Sequence, residues 1–555
     1  MSKRNTEHNF AQIPPLDVPR SSFNRSHTFK STFDAGRLIP FYIDEVYPAD
    51  TFKLRANLFA RMSTPLFPVM DNAYLDTFFF FVPYRLLWQH WREFNGENLL
   101  PGIQSTEYSV PQVTGTNVPV GTLWDYFGFP TGVTNQLSVS AFPFRAYMKV
   151  YNDWFRDENL QAAKDINTGS DITSASTIDA VLGSDATQDW TNYEPLYRGK
   201  RHDYFTSALP WPQKGPGVEI SLAGDAPVYM SNPEMPGLFS YATSQSSGND
   251  TYELSLPSST SPAYKPSIDL QTDGSSTGWF GVAVNQEAVN NAGLKASLSG
   301  LSAITINSLR SAFQLQKFYE KDARGGTRYT EIIRSHFGVI SPDARLQRAE
   351  YLGGTSTPIM INPVMQTSAT DSTSPQGNLA AFALANTKTH GFSKSFVEHG
   401  IVIGLLNVRT DLSYQQGINK QWLRTTREEF YWPSFAHLGE QAILNKEIYA
   451  QGTAVDADVF GYQERYAELR YHPSVITGKM RSTYAQPLDA WHFAQKFDNL
   501  PALNAGFIED TASYQGIKRS LAVQDEPQFL LDAYIQLRCA RPMPLYGVPG
   551  LVDHF

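Results

Sequence analysis

From residue 51 to 61 the chain alternates. Phe52, Leu54, Ala56, Leu58 and Ala60 fall on one face, and Lys53, Arg55, Asn57 and Arg61 on the other. A period of two predicts a half-buried strand. Residues 74–82 predict the next strand, but Phe78, Phe79, Phe80 and Phe81 put bulky groups on both of its faces. Such a strand has to be covered twice, once by the core and once by another element or subunit. Near the other end, Leu531, Ala533, Ile535, Leu537 and Cys539 alternate with Asp532, Tyr534, Gln536 and Arg538, a second half-buried strand. Residues 396–408 predict a third, centred on Ile401, Val402 and Ile403. Helical spacing is scarce. It covers 148–164 (Met148, Tyr151, Phe155), 311–323 (Leu315, Phe318, Tyr319) and one further turn at 330–336. Helices placed between distant strands point to insertions into a sandwich and not to a βαβ rhythm.

Composition narrows the picture. Among 555 residues there are 38 Gly and 35 Pro, and 35 Phe, 28 Tyr and 10 Trp. Charged residues are 18%, below the usual share of about 25%. This excludes a disordered chain, a coiled coil and a collagen, and favours short strands joined by many turns. The net charge of −9 excludes a protein that is basic over its whole surface, so any nucleic-acid contact must be local or shared with a basic partner. A single cysteine, Cys539, allows no intrachain disulfide and no cysteine zinc site, and suits a reducing compartment. On the apolar side of its strand it reads as a small buried thiol. No apolar run follows Lys3 and Arg4, so no signal peptide is expected. The longest apolar runs, 78–82 and 401–406, fall far short of the ~20 residues of a membrane helix, so no membrane insertion is expected.

Four segments differ from the rest. Residues 1–30 are polar and proline-punctuated, with Lys3, Arg4, Arg20, Arg25 and Lys30 against Glu7 and Asp17, and read as an extended arm over a surface or as a disordered tail. Residues 167–190 are rich in Ser, Thr and Asp and read as an exposed loop. Residues 215–305 hold two lysines against eight acids, and their aromatics, Tyr252, Tyr264, Trp279 and Phe280 among them, favour an inserted subdomain over a bare linker. Residues 541–555 hold Pro542, Pro544 and Pro549, which forbids a helix or a central strand and leaves an extended strap.

Catalytic patterns are weak. There is no metalloprotease, nucleophile-elbow, Walker or dinucleotide motif. Gly325-Gly326-Thr327-Arg328 lacks the Lys-Ser/Thr ending of a phosphate loop. Glu398-His399 and His202-Asp203 are sequence neighbours, which point apart on a strand. Asp44-Glu45 and Asp157-Glu158 leave a glycoside hydrolase open as a minority reading, beside a β-rich carbohydrate-binding protein. No cofactor and no metal site are expected. Aromatics held in proline-locked loops, with Trp211, Trp432, Pro542, Pro544 and Tyr546 as candidates, suit rigid contacts between subunits.

Several blocks, in order along the chain, carry a resemblance. They include Gly36–Val46 (GRLIPFYIDEV), Thr64–Asp71 (TPLFPVMD), Phe79–Leu86 (FFFVPYRL), Trp154–Leu160 (WFRDENL), Arg201–Gly215 (RHDYFTSALPWPQKG), Gly325–Glu331 (GGTRYTE), Tyr414–Gly417 (YQQG), Phe460–Gln463 (FGYQ) and Pro549–Phe555 (PGLVDHF). Together they resemble the major capsid proteins of microviruses, in the gokushovirus branch. The resemblance implies a mainly β fold, an eight-stranded antiparallel viral jelly roll with long inserted loops and a few helices. Its parts would be an arm (1–30), a first half (31–214), a surface insertion (215–305), a second half (306–540) and a strap (541–555). It implies no catalysis. Sixty copies would form a T = 1 icosahedral shell around circular single-stranded DNA, assembled in the host cytoplasm with a small basic packaging protein. The insertion would form three-fold protrusions, with Tyr252, Tyr264, Trp279 and Phe280 as candidates to meet a host receptor. The arm cations Lys3, Arg4, Arg20, Arg25 and Lys30 would be candidates to meet DNA, or else to bridge acidic patches of adjacent subunits.

Overall fold

The computed structural model describes residues 19–97, 108–172, 183–218, 228–230, 294–296, 306–367 and 376–546. Two compact units emerge, Met1–Gly215 with Tyr319–Phe555, and Pro216–Phe318. Of the second, the described parts are a two-stranded antiparallel pair, Val228–Met230 with Leu294–Ala296, and the first turns of the helix Ile306–Arg324.

The first unit is a β-sandwich. Its strands are β1 (Ser21–Asn24), β2 (His27–Phe33), β3 (Ile39–Val46), β4 (Thr51–Met62), β5 (Ala73–Pro83), β6 (Glu350–Pro358), β7 (Met360–Met365), β8 (Leu379–Ser395), β9 (Gly400–Thr410) and β10 (Phe529–Arg541). One sheet runs β1-β10-β4-β8-β7, with β2 also paired to β10. The other runs β6-β5-β9-β3. All pairings in both are antiparallel.

The inward faces meet in one core. Phe52, Leu54, Ala56, Leu58 and Ala60 of β4 and Leu531, Ala533, Ile535, Leu537 and Cys539 of β10 pack there with Phe41, Leu75, Phe79, Phe81, Val402, Leu406 and Val408 of the other sheet. β4 alternates buried and outward positions along its whole length, as its sequence requires. At the bulge of β8 between Thr389 and Phe392, Gly391 has φ +59°, and a Cβ there would lie 1.9 Å from the Leu54 carbonyl oxygen. Only glycine fits that turn.

Several expectations shift. Residues 21–24 and 27–33 are strands bonded to the edge of β10, so the arm reading ends at residue 20. Phe33 of β2 enters the core and Phe23 and Phe29 pack against it, which a polar average hides. The sandwich therefore has six strands over four. The helix expected over 148–164 is Phe142–Val150 followed by a wider turn, Tyr151–Phe155. It stops there because the Asp157 carboxylate accepts from the backbone N–H groups of Asn159 and Leu160 and folds a local turn. The other two helices are Ile306–Arg324 and Tyr329–Phe337. At the described ends of the 167–190 loop, Asn167 and Trp190 are buried, not exposed.

Candidate functional site

The two sheets share a core but differ on their outer faces. The four-stranded sheet is covered. Phe80 and Val82 of β5 and Ile401, Ile403 and Leu405 of β9 sit under Trp88, Trp124, Phe144, Tyr147, Met148, Tyr151 and Trp190. This is the second cover that the Phe78–Phe81 run requires. The polar tips are satisfied within the cover. Tyr147 Oη donates to the Leu38 carbonyl at 2.9 Å, Trp124 Nε1 to Pro130 at 2.9 Å and Trp154 Nε1 to Ala349 at 2.9 Å. Charge on this face is paired. Asp76 Oδ2 accepts from Arg198 at 2.6 Å and from Arg409 at 2.8 Å, and Arg198 also reaches Asn407 at 3.3 Å. Burial alone would raise the Asp76 pKa, but Ser356, Arg198 and Arg409 outweigh it and hold the carboxyl below its ordinary range.

Among the described residues, nothing covers the outer face of the six-stranded sheet in this way. Reading across the registers, Lys53 lies opposite Arg538 and Ser393, Arg55 opposite Gln536, and Asn57 opposite Tyr534 and Lys388. Phe59 lies opposite Asp532 and Asn386, with Lys30 beyond Asp532, and Arg61 lies opposite Leu530 and Leu384. Successive rows are about 6.8 Å apart. Lys30, Lys53, Arg55, Arg61, Lys388 and Arg538 are all exposed, and Asp532 is the one acid in the six strands. Asp532 meets Lys30 at 3.7 Å. Lys53, Arg55, Arg61, Lys388 and Arg538 have no ion-pair or hydrogen-bond partner among the described residues. Two rings stand among them, Phe59 at 46% and Tyr534 at 43% exposure. Toward β7 the face turns apolar, with Met360, Val364 and Phe382 exposed.

The cations expected from the sequence fare differently. Lys3 and Arg4 lie outside the described residues. Arg20 Nη2 donates to the Ala49 carbonyl and to Thr51 Oγ1, both at 2.7 Å. Arg25 pairs with Asp44 at 2.5 Å. Of the described arm cations, Arg20, Arg25 and Lys30, only Lys30 joins the open face. The alternation of β4 and β10 exposed Lys53, Arg55, Arg61 and Arg538 in the sequence, but local periodicity did not reveal that the two strands are neighbours.

Tyr252, Tyr264, Trp279 and Phe280 lie outside the described residues. Among the contact candidates, Trp211 and Pro542 are half-buried, and Pro544 and Tyr546 are exposed. Trp432 is also exposed, its Nε1 donating to the Arg427 carbonyl at 3.1 Å. In the same stretch of chain, residues 422–438, Trp422, Phe430, Tyr431 and Leu438 are exposed as well. Trp422, at 76% exposure, is the most open of these and was not singled out in the sequence.

The carboxylates that left hydrolysis open have structural tasks. Asp44 holds Arg25, Glu45 accepts from the hydroxyls of Tyr47 and Tyr84, and Glu158 pairs with Arg328. Glu398 holds Arg85 at 2.6 Å. Asp203 accepts from Tyr414 Oη at 2.6 Å and caps the turn at Phe205 and Thr206. The Gly325–Arg328 loop borders a cleft of about 780 Å³ with Phe80, Trp154, Lys200 and Arg201. Its Arg328 is engaged by Glu158 and Glu331. Lys200 is buried beside the cleft and donates to the Phe507 carbonyl at 2.5 Å, and burial lowers its pKa to about 8. Among the described residues, no three His, Cys, Asp or Glu side chains gather to hold a metal. Nor is any described helix long and apolar enough to cross a membrane.

Comparison with known proteins places this geometry. Residues 11–551 match the family described as capsid protein (F protein). The chain is 44% identical to the capsid protein VP1 of Bdellovibrio phage phiMH2K, over 100% of both chains. It is 42% identical to the capsid protein VP1 of Chlamydia phage 1, over 98% of this chain and 97% of that one. It is 36% identical to the capsid protein VP1 of Spiroplasma virus 4, over 99% of each.

Proposed function

The chain belongs to the phage capsid protein (F protein) family, and from that premise we propose that sixty copies close into a T = 1 shell around circular single-stranded DNA. It is a structural major capsid protein of the gokushovirus type, a component of the virion that assembles with itself, and not an enzyme. The observation that carries the proposal is the match over residues 11–551, on a chain whose catalytic-looking carboxylates are all taken by structural partners.

Heterologous contacts in a closed shell ask each copy for several complementary patches. The exposed residues Trp422, Phe430, Tyr431, Trp432 and Leu438 of the 422–438 stretch, and the strap through Pro542, Pro544 and Tyr546, supply aromatic and proline-held surface for them. The acid-rich segment 215–305 serves as an outward insertion that meets a host receptor. Assembly takes place in the host cytoplasm, and a small basic protein supplies part of the charge that packs the genome.

Electron microscopy of the purified full chain tests this. Uniform small spherical particles are expected, and Trp422→Ala should reduce their yield while leaving the monomer folded. A chain that stays monomeric under all assembly conditions would overturn the proposal.

A further inference from the structure

We propose that the open face of the six-stranded sheet is a stacking platform for single-stranded nucleic acid, with Phe59 and Tyr534 as the rings that take unpaired bases and Lys53, Arg55, Arg61, Lys388 and Arg538 as the cations that follow the phosphates. The inference rests on the capsid reading only for the strand being the viral genome.

Three observations carry it. The first is an unrelieved repulsion. Lys53 and Arg538 are directly opposite each other on neighbouring strands, and like charges so placed weaken a sheet. No described carboxylate compensates them, although the chain as a whole is at −9 and pairs most of its half-buried arginines, Arg198, Arg328, Arg409 and Arg424 among them. A polyanion laid across the face removes that cost.

The second is the placement of the rings. Phe59 and Tyr534 sit on adjacent strands one row apart, because Phe59 faces Asp532 and Asn57 faces Tyr534. Diagonal neighbours of this kind lie about 7–8 Å apart, close enough to act together. Arg55 and Lys388 border them on one side and Arg61 and Lys30 on the other. Rings inside a cationic groove are the general device for holding single strands without reading sequence, since every base has a π-face.

The third is shape. A sheet surface presents its side chains to splayed bases, whereas duplex bases are stacked and shut away from it. The face therefore favours unpaired strands over duplex, and its cationic part shows little sequence preference.

The test uses the purified full chain and a short fluorescein-labelled oligothymidylate, beside a duplex of equal length, read by anisotropy across a salt series. Single strand should bind more tightly than duplex. Phe59→Leu and Tyr534→Leu, which remove a ring at exposed positions, should each weaken single-strand binding about tenfold and leave duplex binding nearly unchanged. The double variant K53E/R538E should weaken both and flatten the salt dependence, while Lys479→Glu, an exposed cation outside the sheet, should change neither. Thermal unfolding of each variant establishes that it is folded. Parental affinity and salt slope in the ring and charge variants would overturn the proposal. So would displacement of the oligonucleotide by polyglutamate as effectively as by unlabelled oligothymidylate, which would assign the face to an acidic protein surface. Microscopy of the same samples separates the two readings: failure of the parent to form particles counts against the shell and leaves the binding result standing.

Discussion

The two sheets of the sandwich use the same inward chemistry and opposite outward chemistry. The six strands of the open sheet contain eight Lys and Arg and one carboxylate, Asp532. The four strands of the covered sheet contain four carboxylates, Asp44, Glu45, Asp76 and Glu350, and one cation, Arg409. On the covered side aromatic side chains from inserted helices and loops exclude water, Asp76 is shared by Arg198 and Arg409, and the buried Arg145 donates to the Leu87 and Ser184 carbonyls. On the open side five cations have no partner among the described residues. Stability is therefore invested in one face, and the described residues supply no partner for the other.

The comparison can be broken most forcefully from the covered side. Phe80 is almost fully buried beneath Trp154 and Phe155. Phe80→Ala should cost about 3–5 kcal/mol in denaturant unfolding. A loss under 1 kcal/mol would mean that the cover is loosely attached. Asp76→Asn breaks a buried pair shared by Arg198 and Arg409 and should cost about 3 kcal/mol near neutral pH. Its sign with pH follows from the lowered pKa. The unfolded chain binds this proton more readily than the folded one. The Asp76 contribution is thus complete above the ordinary Asp value of 3.8 and is lost as pH falls below it. Unfolding midpoints of parent and Asp76→Asn should converge as the solution is acidified through that range.

Substitutions on the open face should barely register in stability. Arg55→Ala should change unfolding by no more than about 0.5 kcal/mol, yet reduce the slope of log affinity for a single strand against log salt by about 0.7. Equal slopes would remove Arg55 from the binding surface. A small effect with no binding consequence is expected at the partly exposed Arg25–Asp44 pair, where Asp44→Ala should cost about 0.2–1 kcal/mol in unfolding and leave the salt slope unchanged.

Much of this contrast was legible in the chain. The period of two in β4 and β10 separated Phe52, Leu54, Leu531 and Ile535 from Lys53, Arg55 and Arg538, and the Phe78–Phe81 run demanded a cover on both sides. The pairing of β4 with β10 was not legible, because register between strands more than 460 residues apart leaves no local trace. Without it, the cations of the two strands look like separate solvated faces, and attention goes to the arm. There Arg25 is held by Asp44 and Arg20 by Ala49 and Thr51. Phe23, Phe29 and Phe33 were too widely spaced among polar residues to announce two strands, and they became visible only against the edge of β10. Trp422 was missed for a related reason: exposure of a single ring is decided by tertiary packing and not by its neighbours in sequence.

The most direct measurement is a density map of an assembled, genome-filled particle. The account predicts that the face bearing Lys53, Arg55, Phe59, Tyr534 and Arg538 lines the interior, with nucleic-acid density against the two rings. A map in which this face points outward, or lies sealed beneath a neighbouring copy, would contradict it.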